Sequence, residues 1–300
     1  MSDFIMLVGL PASGKSTYAE KLREKGYHIH SSDKIREELT GDVNSQDKNV
    51  DVFQELHKRV KTDLRNGISC VYDATNMSMK RRKAFLDEIK KYDCVKKCIL
   101  FAIPVEVCKE RNAKRARKVP DYIFDKMLRK FQCPYYYEGW DEIKVITKYI
   151  YRIPLKKMVG FNQDNPHHNL DLYDHLIESQ KYATENRFFP FVDIAARYHD
   201  CGKFFTKTFV DSKGNKSDVA HYYGHENYSA YLFICQAGSM GEFFEADKFD
   251  LYTACLINWH MRPYNAWKQS EKARNRDIKL IGIDMYEDIM KLHEADAHAH

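Results

Sequence analysis

A glycine-rich segment near the start of the chain has the residue types and spacing of a phosphate-binding loop. Its pattern is Gly-x-x-x-x-Gly-Lys-Ser, formed by Gly9, Leu10, Pro11, Ala12, Ser13, Gly14, Lys15, Ser16 and Thr17. Glycines let backbone N–H groups point at phosphate oxygens, the lysine adds positive charge near the β- and γ-phosphates, and the serine hydroxyl can ligate Mg²⁺. The segment therefore predicts a site for ATP and Mg²⁺.

Two carboxylates follow strand-like runs and could act beside such a loop. Asp33 comes after the second run, three residues before Arg36, and Asp73 comes after the third. Ligands of open α/β sheets collect at the carboxyl ends of the strands. We therefore expect Asp33 to accept a hydroxyl proton and Asp73 to lie beside the nucleotide, with a helix N-cap as the alternative for Asp73.

A basic run follows the fourth strand-like segment. It comprises Arg111, Asn112, Ala113, Lys114, Arg115, Ala116, Arg117 and Lys118. A run of this kind is usually a solvated helix face. Its place after the fourth strand favours a lid over ATP, with Arg111 as a contact to the nucleotide.

The second half of the chain contains residues that could bind a metal. In order they are His175, His199, Asp200 and Asp296, all within apolar helical patterns. Imidazole and carboxylate ligands together suit Mn²⁺, Fe, Ni²⁺, Co²⁺ or Zn²⁺. For each histidine alone, the alternative is a satisfied core or surface residue. Asp277 competes with Asp296 for the last position.

The elements that must position these residues differ between the two halves. Residues 1–155 alternate apolar runs with amphipathic stretches, as β-α units around a parallel sheet do. The predicted strands are 4–10, 27–30, 68–72, 95–103 and 143–152, and the predicted helices are 15–25, 50–66, 78–91, 105–116 and 122–131. After the polar segment 160–169 the pattern becomes mainly helical, as in 172–183, 191–200, 226–236 and 285–300. We therefore expect two domains, 1–155 and 156–300.

Charge and composition agree with this division. Residues 1–155 carry 31 Lys and Arg against 22 Asp and Glu, whereas residues 156–300 carry 17 against 21. The basic half is the one expected on a phosphate backbone. The chain has no apolar run of the roughly 20 residues that a membrane-spanning helix needs and no visible signal peptide. These features, and eight scattered cysteines expected to be reduced and buried, predict a cytoplasmic protein without a membrane partner.

Together, the motifs of the first half resemble the kinase domain of the phage polynucleotide kinase family over about residues 1–150. The resemblance rests on the phosphate-binding loop, Asp33-x-x-Arg36, the segment Asp73-Ala-Thr-Asn, and Arg-Asn-Ala-Lys-Arg followed by Val-Pro. Ala74 departs from the family pattern, which often has no residue between the Asp and the Thr. The resemblance implies a P-loop NTPase fold. It also implies that Asp33 is the general base for a 5′-hydroxyl, that Arg36 contacts the neighbouring phosphate, and that Arg115 acts on the transferring phosphoryl group.

The order of metal-binding residues in the second half resembles the HD phosphohydrolase superfamily, an all-helical fold, over about residues 160–300. The resemblance implies that His175, His199, Asp200 and Asp296 hold a metal. It further implies that His225 and His260 bind a second metal or the substrate phosphate and that Lys203 holds a phosphate oxygen. The remaining histidines, expected at the surface or behind the ligands, are His167, His168, His221, His293, His298 and His300.

The combination is similar to polynucleotide kinases fused to HD domains, with the domain order reversed. It implies an enzyme that phosphorylates 5′-hydroxyl ends and removes phosphate from 2′, 3′ or 2′,3′-cyclic ends of RNA or DNA, with RNA the expected substrate. A nucleic-acid ligase would act in the same pathway. Two alternatives stay open: a small-molecule or nucleoside kinase fused to an HD nucleotide phosphohydrolase, and a kinase whose HD part only binds RNA or regulates.

Overall fold

The structure, a computed structural model, describes the chain except residues 46, 167–168, 189, 241–245 and 300. It divides the chain into two compact units. The first contains residues 1–124 and 134–148, and the second contains residues 125–133 and 149–300. The main boundary therefore lies at residue 149 rather than at the expected 155, and the earlier segment 125–133 also belongs to the second unit.

The first unit is built on a five-stranded parallel sheet. Its strands are β1 (Ser2–Gly9), β2 (His28–Ser31), β3 (Cys70–Asp73), β4 (Cys94–Phe101) and β5 (Glu142–Ile146). They are arranged in the order β2-β3-β1-β4-β5, and every neighbouring pair is parallel. Strand β1 is buried along almost its whole length, as expected for a strand covered on both faces. The phosphate-binding loop therefore leaves the centre of the sheet.

Helices connect the strands of this sheet. They are α1 (Lys15–Arg23), α2 (Ser32–Thr40), α3 (Asn49–Arg65), α4 (Met79–Ile89) and α5 (Val105–Ala113). Helix α6 (Asp121–Leu128) follows, and its residues 125–128 belong to the second unit. Helix α3 shows why these stretches fold as they do: Val52, Leu56, Val60 and Leu64 recur every four residues and are buried, which gives the helix one apolar face. The first unit is thus an α/β P-loop domain, a parallel sheet with flanking helices.

Some element boundaries differ from the sequence prediction. Helix α2 was not predicted, strand β5 ends at Ile146 rather than at residue 152, and α5 ends at Ala113 rather than at residue 116. Helix α2 is mostly charged, so its apolar period is short and hard to detect. Beyond Ala113 the chain forms turns that carry the rest of the basic run.

The second unit is mainly helical. Its further helices are α7 (Leu172–Glu185), α8 (Pro190–Tyr198), α9 (Lys203–Thr206), α10 (His225–Met240), α11 (Lys248–Trp259), α12 (Glu271–Ile281) and α13 (Ile283–His298). Helix α8 packs against α7, α11 and α13. Its Ala195 and Ala196 are fully buried, and these small side chains let neighbouring helices approach closely.

The second unit is not entirely helical, which corrects the expected all-α fold. Strands β6 (Thr208–Val210) and β7 (Lys216–His221) form an antiparallel hairpin around a turn with Gly214. The strand sequences are short and one alternates with charged residues, so they carry a weak strand signal. In the described residues, no helix is both long and apolar enough to span a membrane. All eight cysteines are buried.

Candidate active sites

The phosphate-binding loop begins where the central strand of the first unit ends. Gly9 is the last residue of β1, with φ at 151°, and a Cβ there would lie 3.0 Å from Phe101 Cβ and 3.1 Å from the Phe101 carbonyl oxygen. A side chain would therefore force β1 and β4 apart. Gly14 precedes α1 with φ at 104°, a left-handed conformation that glycine adopts readily. Ser16 and Thr17 lie in the exposed first turn of α1, whereas Ser13 is buried.

Lys15 folds over the loop that precedes it. Its Nζ donates to the carbonyl oxygens of Gly9 at 2.9 Å and Leu10 at 2.6 Å, and the residue is buried. Burial lowers the pKa of Lys15, and the negative charges of Asp73 and Asp33 offset part of this effect. The two carboxylates therefore lie close enough to the loop lysine to act electrostatically on it.

Asp73 lies beside the first turn of α1. Strands β1 and β3 are parallel with Leu7 opposite Asp73, and Ser16 Oγ donates to Asp73 Oδ2 at 3.1 Å. Burial raises the pKa of Asp73, which the charge of Lys15 and the hydrogen bond from Ser16 partly offset. The N-cap alternative does not hold, because Asp73 ends β3 and Ser78 occupies the N-cap of α4. Ser16 and Asp73 together form an oxygen pair of the kind that Mg²⁺ binds.

The chain after β3 is tied to the same loop. The Gly9 backbone N–H donates to the Thr75 carbonyl oxygen at 3.0 Å, and Asn76 Nδ2 donates to the Leu7 carbonyl oxygen at 2.8 Å. These bonds fix the exit of β3 against the exit of β1. Through these hydrogen bonds, the Asp73-Ala-Thr-Asn segment helps to position the phosphate-binding loop, which the spacing of its residues did not indicate.

Asp33 lies in the first turn of α2, immediately after β2. Arg36 is buried and lies one helical turn further, so that its Nη1 donates to Asp33 Oδ1 at 3.0 Å. Its Nη2 donates to Asn49 Oδ1 at 2.8 Å. The Asp33 side chain is 56% exposed, so its carboxylate is open to an incoming hydroxyl group while an arginine holds its orientation.

The basic run forms a short loop closed by one asparagine. Asn112 is buried, and its side chain donates to the Val119 carbonyl oxygen at 2.7 Å and accepts from the Val119 backbone N–H at 2.9 Å. Between these two residues Arg115 is exposed. Arg111 Nη1 lies 3.4 Å from the Ala12 carbonyl oxygen, beside the phosphate-binding loop. The run is therefore not a plain helix face.

Arg117, in the same run, contacts the candidate base. Its Nη1 lies 2.8 Å from Asp33 Oδ2, and its Nε donates to Asn44 Oδ1 at 3.0 Å. The sequence placed Arg117 in the lid without assigning it a contact. The sequence showed only the positive charge of Arg117 and its position in the lid. Its pairing with Asp33 could not be predicted, because it depends on the conformation of the loop.

In the second unit, four buried side chains converge on one point. His175 comes from α7, His199 and Asp200 follow α8, and Asp296 lies near the end of α13. His175 Nε2 lies 3.2 Å from Asp200 Oδ2 and 3.3 Å from Asp296 Oδ1. His199 Nε2 lies 3.2 Å from Asp296 Oδ1 and 3.3 Å from His175 Nε2. We call these four residues the first cluster.

Asp200 also belongs to a second cluster, formed with His225 and His260. Its Oδ1 lies 3.0 Å from His225 Nε2 and 3.3 Å from His260 Nε2, and the two Nε2 atoms lie 3.3 Å apart. Gly202 makes this approach possible: a Cβ there would lie 2.3 Å from the His225 carbonyl oxygen. Each oxygen of the Asp200 carboxylate therefore faces a different group of imidazoles.

The four histidines share one hydrogen-bond arrangement. Each Nδ1 donates to a backbone carbonyl oxygen, those of Ala299, Ala196, Tyr222 and Ile257, at 2.7 to 3.1 Å. This arrangement fixes the proton on Nδ1 and turns the Nε2 lone pair toward the cluster, as in metal-binding histidines. Among the described residues, no hydrogen bond reaches the buried Asp200 Oδ1. Lone pairs from nitrogen and oxygen thus face one another, and the donor set fits divalent metal ions.

The charges of the clusters shift the pKa values of their members. Burial alone would lower the pKa of His199, but Asp200 and Asp296 raise it to about 10. Burial would raise the pKa of Asp200, but Lys203 and His199 hold it well below its usual range. Burial lowers the pKa of His260. The neighbouring carboxylates therefore make the Nε2 lone pair of His199 more basic than that of a free imidazole.

Lys203 lies directly beside the shared carboxylate. Its Nζ forms an ion pair with Asp200 Oδ2 and donates to Gln163 Oε1 at 3.1 Å, and only 5% of the residue is exposed. The Nζ also lies 5.5 Å from the centre of the Tyr222 ring. The lysine can therefore present charge next to both clusters.

The other candidates from the sequence lie elsewhere. Asp277 accepts hydrogen bonds from Arg262, Arg276 and Trp267, so it is not part of either cluster. His221 stacks on Tyr223, His293 packs on Tyr264, and His298 is half exposed. His167, His168 and His300 lie outside the described residues.

Comparison with known proteins finds similarity over about the first half of the chain. Residues 4–134 match a family described as an AAA domain. The L-seryl-tRNA(Sec) kinase of Methanococcus maripaludis is 28% identical over 170 residues, which are 53% of this chain and 66% of that protein. The bifunctional polynucleotide phosphatase/kinase of Schizosaccharomyces pombe is 25% identical over 150 residues, which are 48% of this chain and 33% of that protein. The alignments thus span less than two thirds of either relative.

Among solved structures, a chain of the Pnkp1/Rnl/Hen1 RNA repair complex aligns with a TM-score of 0.39 and 23% identity. The alignment covers 42% of each chain.

Proposed function

We propose that this chain heals nucleic-acid ends, with RNA as its main substrate. In this proposal the first unit phosphorylates 5′-hydroxyl ends with ATP, and the second removes phosphate from 2′, 3′ or 2′,3′-cyclic ends. The observation that carries the proposal is the presence, in one chain, of a phosphate-binding loop with Asp33 beside it and of two buried clusters that share Asp200. Each set of residues suits one of the two reactions.

The kinase reaction needs a base, a charged lid and a phosphate cradle. Asp33 accepts the proton of the 5′-hydroxyl as the hydroxyl oxygen bonds to the γ-phosphorus of ATP. The bond from that phosphorus to the β,γ-bridging oxygen breaks, and ADP leaves. Lys15 and the loop N–H groups hold the phosphates, Ser16 and Asp73 would hold Mg²⁺, and Arg115 stabilises charge on the transferring group. Bound Mg²⁺ would neutralise charge on the β- and γ-phosphates.

Arg36 supports a phosphorylated acceptor. Its guanidinium is buried, adjoins Asp33 and is held by Asn49, and we propose that it contacts the phosphate next to a 5′-terminal hydroxyl. A planar guanidinium suits a phosphate better than it suits an uncharged sugar. The basic balance of residues 1–155 also favours a polyanionic acceptor.

In the second unit, His175, His199, Asp200 and Asp296 would hold one divalent metal ion, and Asp200, His225 and His260 a second. Mn²⁺, Ni²⁺ and Co²⁺ suit this ligand set. Such ions supply Lewis acidity toward a phosphate ester and lower the pKa of coordinated water. Lys203 would bind a phosphate oxygen, and the carbonyl acceptors keep the four imidazoles oriented.

The two reactions have complementary products. A strand with a 5′-phosphate and a free 3′-hydroxyl is a substrate for a nucleic-acid ligase, so we propose a ligase in the same pathway. The name of the Schizosaccharomyces pombe relative, a polynucleotide phosphatase/kinase, describes the same pair of activities for that protein. Its similarity to this chain supports the kinase half of the proposal.

A second candidate follows from the other relative. The Methanococcus maripaludis protein is named for phosphorylating a seryl group on a tRNA, so the acceptor could be a different hydroxyl group. We therefore propose a panel of acceptors for phosphate transfer from radiolabelled ATP: a 5′-hydroxyl RNA, a 5′-hydroxyl DNA, free nucleosides and a seryl-tRNA. The end-healing proposal expects transfer to the oligonucleotides, and transfer to nucleosides or seryl-tRNA alone would contradict it.

The second activity has its own test. The metal-free chain would be incubated with 3′-phosphorylated, 2′-phosphorylated and 2′,3′-cyclic RNA after addition of Mn²⁺, Ni²⁺ or Co²⁺. We expect phosphate release or ring opening that requires added metal. If free nucleotides are hydrolysed and RNA ends are not, the second unit is a nucleotide phosphohydrolase. No hydrolysis of either would indicate a binding or regulatory module.

A further inference from the structure

Tyr264 adjoins the first cluster and is not used by the reactions described above. Its Oη donates to Asp296 Oδ2 at 2.9 Å. The other oxygen of the same carboxylate, Oδ1, lies 3.2 Å from His199 Nε2 and 3.3 Å from His175 Nε2. The hydroxyl group thus occupies one carboxylate oxygen and leaves the other directed at the imidazoles.

The segment that carries Tyr264 is unusual and firmly held. Residues Pro263–Trp267 form a π-helical turn, separated from the end of α11 by three residues, and such turns are frequent at functional sites. Asp277 holds the turn at both ends, because it accepts from Arg262 Nε and from Trp267 Nε1, each at 3.0 Å. Asp277, the rival ligand in the sequence, therefore fixes the backbone on either side of Tyr264.

The ring of Tyr264 is also oriented by a neighbour. It packs edge-on against His293, with the ring centres 4.3 Å apart and an angle of 85°. His293 precedes Asp296 by one turn of α13. His260, a member of the second cluster, precedes Tyr264 by four residues. One short segment therefore supplies an imidazole to one cluster and a hydroxyl group to a carboxylate of the other.

We propose that Tyr264 is a positioning residue for Asp296 and makes this carboxylate bind metal through Oδ1 alone. The inference rests on the metal sites of the proposed function. Without the hydroxyl group, the carboxylate loses a hydrogen bond that restrains its rotation. Loss of a hydrogen-bonding partner of a metal ligand typically lowers metal affinity about 10- to 100-fold.

The test uses the full chain stripped of metal, with Mn²⁺, Ni²⁺ and Co²⁺ each titrated by calorimetry. Tyr264→Phe removes only the hydroxyl group. Tyr252→Phe is the matched control, because Tyr252 Oη donates to Asp288 Oδ2, a carboxylate of α13, at 2.8 Å. Neither Tyr252 nor Asp288 belongs to a cluster. Thermal unfolding of each metal-free variant measures any general loss of stability.

We expect Tyr264→Phe to weaken the tightest metal-binding event about 10- to 100-fold, with metal-free unfolding close to that of Tyr252→Phe. Tyr252→Phe should bind metal as the unsubstituted chain does. Equal affinity of Tyr264→Phe and the unsubstituted chain would overturn the inference, as would an equal loss in both variants. If the unsubstituted chain binds none of the three ions, the metal sites of the proposed function fail as well.

Discussion

Arg36 Nη1 donates to Asp33 Oδ1 at 3.0 Å, so a buried guanidinium orients an exposed carboxylate one helical turn away. Arg117 reaches the other oxygen of Asp33 from the lid. The carboxylate is therefore held from two sides at the exit of β2. This arrangement suits a base that must receive a proton in one defined direction.

Asp33→Ala should lower phosphate transfer to a 5′-hydroxyl oligonucleotide by about 10²- to 10⁴-fold, because this is the usual contribution of a general base. ATP should still bind, since the loop contacts remain. Glu37→Ala is the matched control: Glu37 is an exposed carboxylate one turn later on α2, and its loss should leave the rate nearly unchanged. Steady-state kinetics and ATP binding by calorimetry would measure both. Weaker ATP binding with an intact rate would contradict the assignment of Asp33.

Arg115→Ala should lower kcat far more than it weakens binding of ATP or of the oligonucleotide. The reason is that a lid arginine acts on charge that develops in the transition state. Lys114→Ala removes an adjacent positive charge, one that pairs with Glu110, and should change kcat little. The measurement is kcat and KM for both substrates in each variant. Equal changes in binding and turnover would make Arg115 an ordinary ground-state contact.

A buried ion pair also supports the first unit. Arg82 and Glu138 have fully buried side chains joined at 2.6 and 2.8 Å, and Trp140 Nε1 also donates to Glu138 at 3.0 Å. Arg82→Met should lower the free energy of unfolding by about 3–5 kcal/mol, because it leaves a buried carboxylate uncompensated. Urea denaturation measures this loss.

Lys83→Met is the matched control, because it breaks an exposed pair with Asp87. It should lower the free energy of unfolding by less than about 1 kcal/mol. Similar losses in the two variants would show that burial of the Arg82–Glu138 pair contributes little.

Local sequence signals were enough to predict the elements that have a long or clear apolar period. The central strand, helix α3 and the phosphate-binding loop are examples, because each is specified by neighbouring residues. Helix α2 was missed because charged residues dominate it. The hairpin was missed because its strands are short and tertiary packing decides their conformation. The first unit was expected as a P-loop domain and forms one, whereas the second combines helices with a hairpin.

Residue type and order indicated much of the candidate sites but not their internal contacts. Asp296 was chosen over Asp277 from sequence context, and the structure brings Asp296 to the first cluster while Asp277 binds two arginines and a tryptophan. Tyr264 and Gln163 could not be recognised, because they meet Asp296 and Lys203 only after distant segments pack. Such contacts across a fold have no short-range signature.

The two activities should be separable by single substitutions. Lys15 contacts the loop carbonyls of the first unit, whereas Asp200 joins both clusters of the second, and neither set of residues includes a member of the other. Lys15→Ala should abolish kinase activity and leave metal-dependent release of phosphate from RNA ends. Asp200→Ala should do the reverse, because removing the shared carboxylate depletes both proposed metal sites.

Both reactions would be assayed with each variant, with circular dichroism as the control for folding. Loss of phosphate release in folded Lys15→Ala would mean that the first unit performs the hydrolysis, and unchanged hydrolysis in Asp200→Ala would show that the clusters are structural.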